Sequence, residues 1–151
     1  MRDTRFIAQH RGGPLKREQH LQLMIWACDC AKHVLPFYGE KIDERLTEAF
    51  LVAHAWTLGK ASVGDARKAA VYAHAVARES TTPVAVAVAR SVGHAVATAH
   101  MADHSLGAAW YALKAVKHVG RSVEAERKWQ DARLPSEIRE LVLSARKRKN
   151  I

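Results

Sequence analysis

Three histidines stand within eleven residues at His94, His100 and His104, inside a stretch (93–116) that is otherwise small and apolar. His100 and His104 are one helical turn apart, and Asp103 is three positions after His100. On an uninterrupted helix these three side chains share a face, and i, i+4 histidines make a workable pair of metal ligands. His94 lies six positions before His100, about 240° around such a helix, so it joins that face only if the helix breaks. A second reading needs no ligand. Each imidazole can pin two helices together, one ring nitrogen donating and the other accepting, with alanine neighbours leaving room for the ring. Asp103 would then cap the following helix or orient one imidazole. Earlier in the chain His74 is accompanied by Arg67 and Arg78, and His94 by Arg90. These cations suit either an anion-binding cleft or an ordinary solvated face. The candidate polar pocket is therefore His74, His94, His100, Asp103 and His104. Asp29, an acid inside the apolar run Trp26-Ala-Cys-Asp-Cys-Ala31, is a candidate partner for one of these histidines or arginines.

No catalytic, cofactor-binding or metal-ligating residue is assigned. HExxH is absent, as are the GxxxxGK[ST] phosphate loop, the GxSxG elbow and a glycine-rich dinucleotide fingerprint. Carboxylates are scattered rather than paired, and the expectation is a protein that is not an enzyme. Cys28 and Cys30 are two apart, which on a helix points them to different faces. They are too few for a zinc site and too close for an ordinary disulfide, so reduced, buried thiols are expected.

The elements that must position these groups are helices. Leu21, Met24, Ile25, Cys28, Ala31 and Leu35 follow the i, i+3, i+4, i+7 pattern and are stopped by Pro36. Leu46, Ala49, Phe50, Ala53 and Trp56 form a second face, with Asp43 as N-cap and Gly59 past its end. Ser62 caps a third helix carrying the alanine stripe Ala66, Ala70, Ala73 and Ala77. Thr82-Pro83 starts a fourth. The alternation from Val84 to Ala89 could suit a strand, but alanine is depleted in strands and the flanking signals are helical. The fourth helix is expected to run into residues 100–103, and a fifth to carry Leu106, Ala109, Trp110, Leu113 and Val116 up to Gly120. A sixth covers 123–133, and a seventh begins at Pro135 with Ile138, Leu141, Val142 and Ala145 on one face. His74-Ala-Val-Ala77 recurs as His94-Ala-Val-Ala97, which in so alanine-rich a chain is read as chance rather than as a repeat.

Composition agrees. With 151 residues the chain is one domain by length, and its 27 alanines favour helix and let helix axes approach closely. The expected architecture is all-α, a single-domain bundle of about six to seven closely packed Ala-rich helices. Residues 1–14 form a lead-in ending in a Gly-Gly-Pro turn, 15–145 the helical domain, and 146–151 a basic tail expected to be solvated. No apolar run approaches the roughly 20 residues of a membrane span, and the first residues lack a signal peptide's apolar core, so a cytoplasmic protein without membrane contact is expected. The formal net charge is +9. Residues 1–20 hold five basic and two acidic side chains, 21–120 ten and eight, and 121–151 nine and five, so the excess sits at the ends. Such ends attract phosphates or an acidic protein face.

Several segments together resemble one bacterial group: Phe6-Ile7, Trp26-Ala-Cys-Asp-Cys-Ala-Lys-His-Val-Leu35, residues 66–78, residues 93–107, and Trp129-Gln130 with Leu134-Pro135 and Arg139-Glu-Leu-Val142. They are similar to the imm-five-like immunity proteins of polymorphic toxin systems, from about Phe6 to Val142. The resemblance implies a small helical protein that binds and neutralises a cognate toxin, with no agreed catalytic or ligand residues to carry over. A strongly basic inhibitor suits a basic nuclease cleft poorly, because like charges across an interface cost affinity. The expected toxin surface is therefore acidic or neutral, or the inhibitor face comes from the near-neutral middle of the chain. A nucleic-acid-associated helical protein using its basic termini is the second reading, and a His-based metal or small-anion binder the third.

Overall fold

Local end chemistry sets most of the helix boundaries. The computed structural model describes residues 2–151, with α1 at Arg17–Val34, α2 at Glu44–Thr57, α3 at Val63–Glu79, α4 at Pro83–Ala97, α5 at His104–His118, α6 at Val123–Ala132 and α7 at Ser136–Lys149. Asp43 caps α2 by accepting from the Arg45 amide at 2.9 Å. Ser62 and Asp65 form a reciprocal capping box on α3. The Thr82 hydroxyl accepts from the Ala85 amide at 3.2 Å, and Pro83 opens α4. Residues 84–89 are helical, as alanine content dictates. Gly59 and Gly120 take the left-handed conformation that ends α2 and α5, at φ 73° and 75°. Among the described residues the only β pairing is a single parallel bridge between Ala8 and Leu15.

Helix α4 is the hub, packing against α1, α2, α3 and α5. Its two faces feed two cores. One joins Met24, Ala27 and Cys28 of α1, Leu46, Ala53 and Trp56 of α2, the stripe Ala66, Ala70, Ala73 and Ala77 of α3, and Val92 and Val96 of α4. The other joins Phe6 and Leu15 of the lead-in, Leu23, Trp26 and Cys30 of α1, Val88 of α4, Leu106 and Val116 of α5, and Ile138 and Val142 of α7. Cys28 and Cys30 thus point into different cores, both as free buried thiols. Burial pushes the Cys28 thiol up to about 12.

Two boundaries differ from expectation. Helix α4 stops at Ala97, not in 100–103, and residues 98–103 form a turn. The cause is long-range: the ring of His20, buried in α1, donates from Nε2 to the Thr98 carbonyl at 2.6 Å, taking an acceptor that continued helix would use. At the far end α7 continues through Lys149, and Arg146 is buried rather than part of a solvated tail. Its guanidinium donates to Gln130 Oε1 at 2.7 Å and Asp131 Oδ1 at 3.1 Å. Gln130 in turn donates to the Ala109 carbonyl at 3.1 Å, while the Gln130 carbonyl accepts from the Trp26 indole at 2.9 Å. One glutamine therefore ties α6 to α1, α5 and α7.

Candidate functional site

The break at 98–103 reverses the chain and brings His94 back against His104, with Nδ1 to Nδ1 at 3.1 Å. One of the two nitrogens must carry the proton that the other accepts. His74, on α3, meets the His94 ring edge-on with centroids 5.3 Å apart. Tyr111 stacks on His94 at 5.2 Å and 20°. Arg90 Nη1 donates to His74 Nδ1 at 2.8 Å, which places the proton of neutral His74 on Nε2. The result is a row of half-buried imidazoles, His74, His94 and His104, crossing α3, α4 and α5.

Two glycines make the row sterically possible. A Cβ added at Gly93 would stand 2.7–2.9 Å from the His74 ring, and one at Gly107 would stand 2.7–3.2 Å from the His94 ring. The His74 and His94 imidazoles thus each lie against a glycine of the next helix. The two His-Ala-Val-Ala words therefore place their rings alike, whatever the origin of the repetition.

Burial dominates the electrostatics. It holds His74 and His94 down at about 4 from the ordinary 6.5, with Arg90 and the neighbouring imidazoles adding to the effect. His104 is lowered by burial too, against the opposing pull of Asp103. Near neutral pH the row is uncharged, so it offers hydrogen bonds and one shared proton rather than positive charge. No group of three or more His, Cys, Asp or Glu side chains among the described residues has metal-site geometry.

Of the five sequence candidates, His74, His94 and His104 touch in this chain of rings, and Asp103 borders an open cleft of about 550 Å³ together with His94 and His104. Asp103 neither caps α5 through its side chain nor bonds an imidazole; its carboxylate pairs with Arg2 at 3.6 Å. His100 is separated from the row. It sits in the 98–103 turn and lines a different cavity, of about 230 Å³, with Arg2, His10 and Arg11. Asp29 makes no ion pair with a histidine or arginine among the described residues, and burial raises its carboxyl above the usual range.

Three polar features carried no local signal. His20 and its carbonyl partner are 78 positions apart. His33 bonds Glu126 at 2.7 Å and stacks on Trp129 at 3.6 Å, joining α1 to α6. The Arg146 network depends on α7 docking. By contrast Gly93 and Gly107 do carry a local signal, although it was not read above: glycine inside a helix costs about 1 kcal/mol against alanine, so in an alanine-rich chain it marks a close approach.

Comparison with known families adds a decisive match. The family described as "Imm-5 like putative immunity protein" covers residues 13–137, which takes in α1 to α6, the start of α7 and the whole histidine row. The chain belongs to this Imm-5 like family. Neither the curated proteins nor the solved structures contain a match. The matched span begins after the two short turns of the lead-in and ends before the buried Arg146.

Proposed function

We propose that this protein neutralises a cognate bacterial toxin by direct, non-catalytic binding in the cytoplasm. The observation that carries this reading is the Imm-5 like match across nearly all of the helical body. A distribution of apolar surface supports it. Of the seven large hydrophobic side chains left exposed among the described residues, five lie on or beside α2 and α3: Leu51, Leu58, Val63, Val71 and Tyr72. Leu51 and Tyr72, 61% and 48% exposed, flank a cleft of about 730 Å³ between the two helices, edged by Glu44, Glu48 and Lys68. Clustered exposed apolar side chains with a polar rim are the usual make-up of a protein-binding face. This face also comes from the near-neutral middle of the chain, where repulsion from a basic toxin is smallest. No helix among the described residues is long and apolar enough to cross a membrane.

The test is co-expression and co-purification with a toxin encoded beside it. Protection should need stoichiometric amounts of inhibitor, and Leu51→Asp with Tyr72→Asp should lower affinity roughly a hundredfold or more, as loss of two central apolar anchors does, with the helical content kept. Toxin inactivated with turnover by substoichiometric protein would sink the non-catalytic reading. Saturable, salt-sensitive binding to duplex DNA without any toxin complex would favour phosphate contacts by the basic ends instead.

A further inference from the structure

The cavity beside His100 is unlike the rest of the surface. Arg2, His10, Arg11 and His100 line it, and no carboxylate does, although Asp103 stands just behind Arg2 at 3.6 Å. The groups come from separate parts of the chain: Arg2, His10 and Arg11 from the lead-in, and His100 from the α4–α5 turn. The lead-in is held in place independently of any ligand. Phe6 is buried in the second core, and backbone bonds from Gln9 to the Leu15 carbonyl and from Leu15 to the Ile7 carbonyl, at 2.9 and 3.0 Å, fold it back on itself. Beneath the cavity His20 fastens the turn that carries His100.

We propose that this cavity is a binding site for a phosphate-class oxyanion, free or as a monoester, held by Arg2, Arg11 and His100. Asp103 already shares the charge of Arg2, but Arg11 has no carboxylate partner among the described residues, so the hollow still favours an entering anion. Guanidinium groups present planar forks of N–H donors that fit phosphate oxygens, and His100 adds a further donor when protonated. A volume of about 230 Å³ accommodates the anion together with a few waters, each needing roughly 30 Å³. The present electrostatics agree: burial first, then Arg67, Arg11, His104 and Arg2, disfavours the His100 imidazolium. A bound dianion reverses the sign of that field. The site lies apart from the α2–α3 face, and the inference stands whether or not a toxin is the partner.

The test is an amide-resolved NMR titration of the full chain with inorganic phosphate, phosphoserine and acetate at constant ionic strength. Phosphate should give saturable shifts at Arg11, His100 and Ala102, and should raise the titration midpoint of the His100 ring. R11Q and H100Q should each weaken binding by about tenfold, as expected for loss of one charge-assisted hydrogen bond, whereas R133Q, at an arginine that stacks on Trp129 at 4.6 Å and does not line the cavity, should not. Tighter phosphoserine binding identifies an esterified ligand, and tighter inorganic phosphate the free anion. Non-saturable shifts, acetate binding as tightly as phosphate, or equal weakening by R133Q would overturn the site. The rise in the His100 midpoint is read in the unmutated protein, so a variant that fails to fold does not rescue the proposal.

Discussion

Gly93 and Gly107 show how one missing methyl group governs the placement of an imidazole. The His94 ring stacks on Tyr111, lies against Gly107 and shares a proton with His104. Gly107→Ala adds about 1 kcal/mol of helix propensity but pushes a Cβ to 2.7 Å from the ring. Overpacking of this kind costs about 1–3 kcal/mol, so a net loss of about 1 kcal/mol is expected by urea denaturation. Adding His94→Ala should recover part of that loss, because the clash has been removed. Independent, additive effects in the double-mutant cycle would show that ring and glycine do not press on each other.

At the scale of elements, the decisive feature is the turn at 98–103. No proline marks it, and the nearest glycines, Gly93 and Gly107, are mid-helix, so helical periodicity runs straight through. The turn exists because α1 presents His20 to the Thr98 carbonyl while the His20 ring packs on Trp56 at 4.9 Å. His20→Ala leaves that carbonyl buried and unpaired and opens a cavity, at a cost of about 2–3 kcal/mol. Hydrogen exchange at the His100, Met101 and His104 amides, which bond within the turn, should quicken more than at α6. Unchanged protection in the turn would mean that the α4–α5 packing alone holds it. The same element logic explains α7: its last turn is ordered because Arg146 has Gln130 and Asp131 to bond, partners supplied by another helix.

For the whole molecule, the histidine row makes stability depend on pH. His74 and His94 titrate near 4 in the folded protein against 6.5 ordinarily. Between those values the unfolded chain binds more protons, so stability is complete above pH 6.5 and is lost as pH falls toward 4. Two such groups, discounted for their partial exposure, account for about 3 kcal/mol. The carboxylates of Asp3, Asp43, Asp65 and Glu79 are held below their usual range, so their contribution fades only at lower pH. Urea midpoints at pH 7 and 4.5 should therefore differ, and His74→Asn with His94→Asn should flatten the difference. A variant as pH-sensitive as the unmutated protein would place the titrating groups elsewhere.

The all-helical class, the caps at Asp43, Ser62 and Thr82, the stops at Gly59 and Gly120, and the buried alanine stripe of α3 were legible in the sequence. Each follows from interactions within a few residues, where residue type and spacing decide the outcome. The densest family resemblance, across residues 93–107, was legible too, and it falls inside the matched span. Which histidines meet was not legible. The sequence groups His100 with His104 by helical spacing, whereas the fold joins His104 to His94 and turns His100 toward Arg2 and Arg11. That choice depends on a carbonyl captured from 78 residues away and on glycines of one helix receiving rings from another. Tertiary packing decided it, because only folding brings α1, α4 and α5 close enough for those contacts to compete with the local helix.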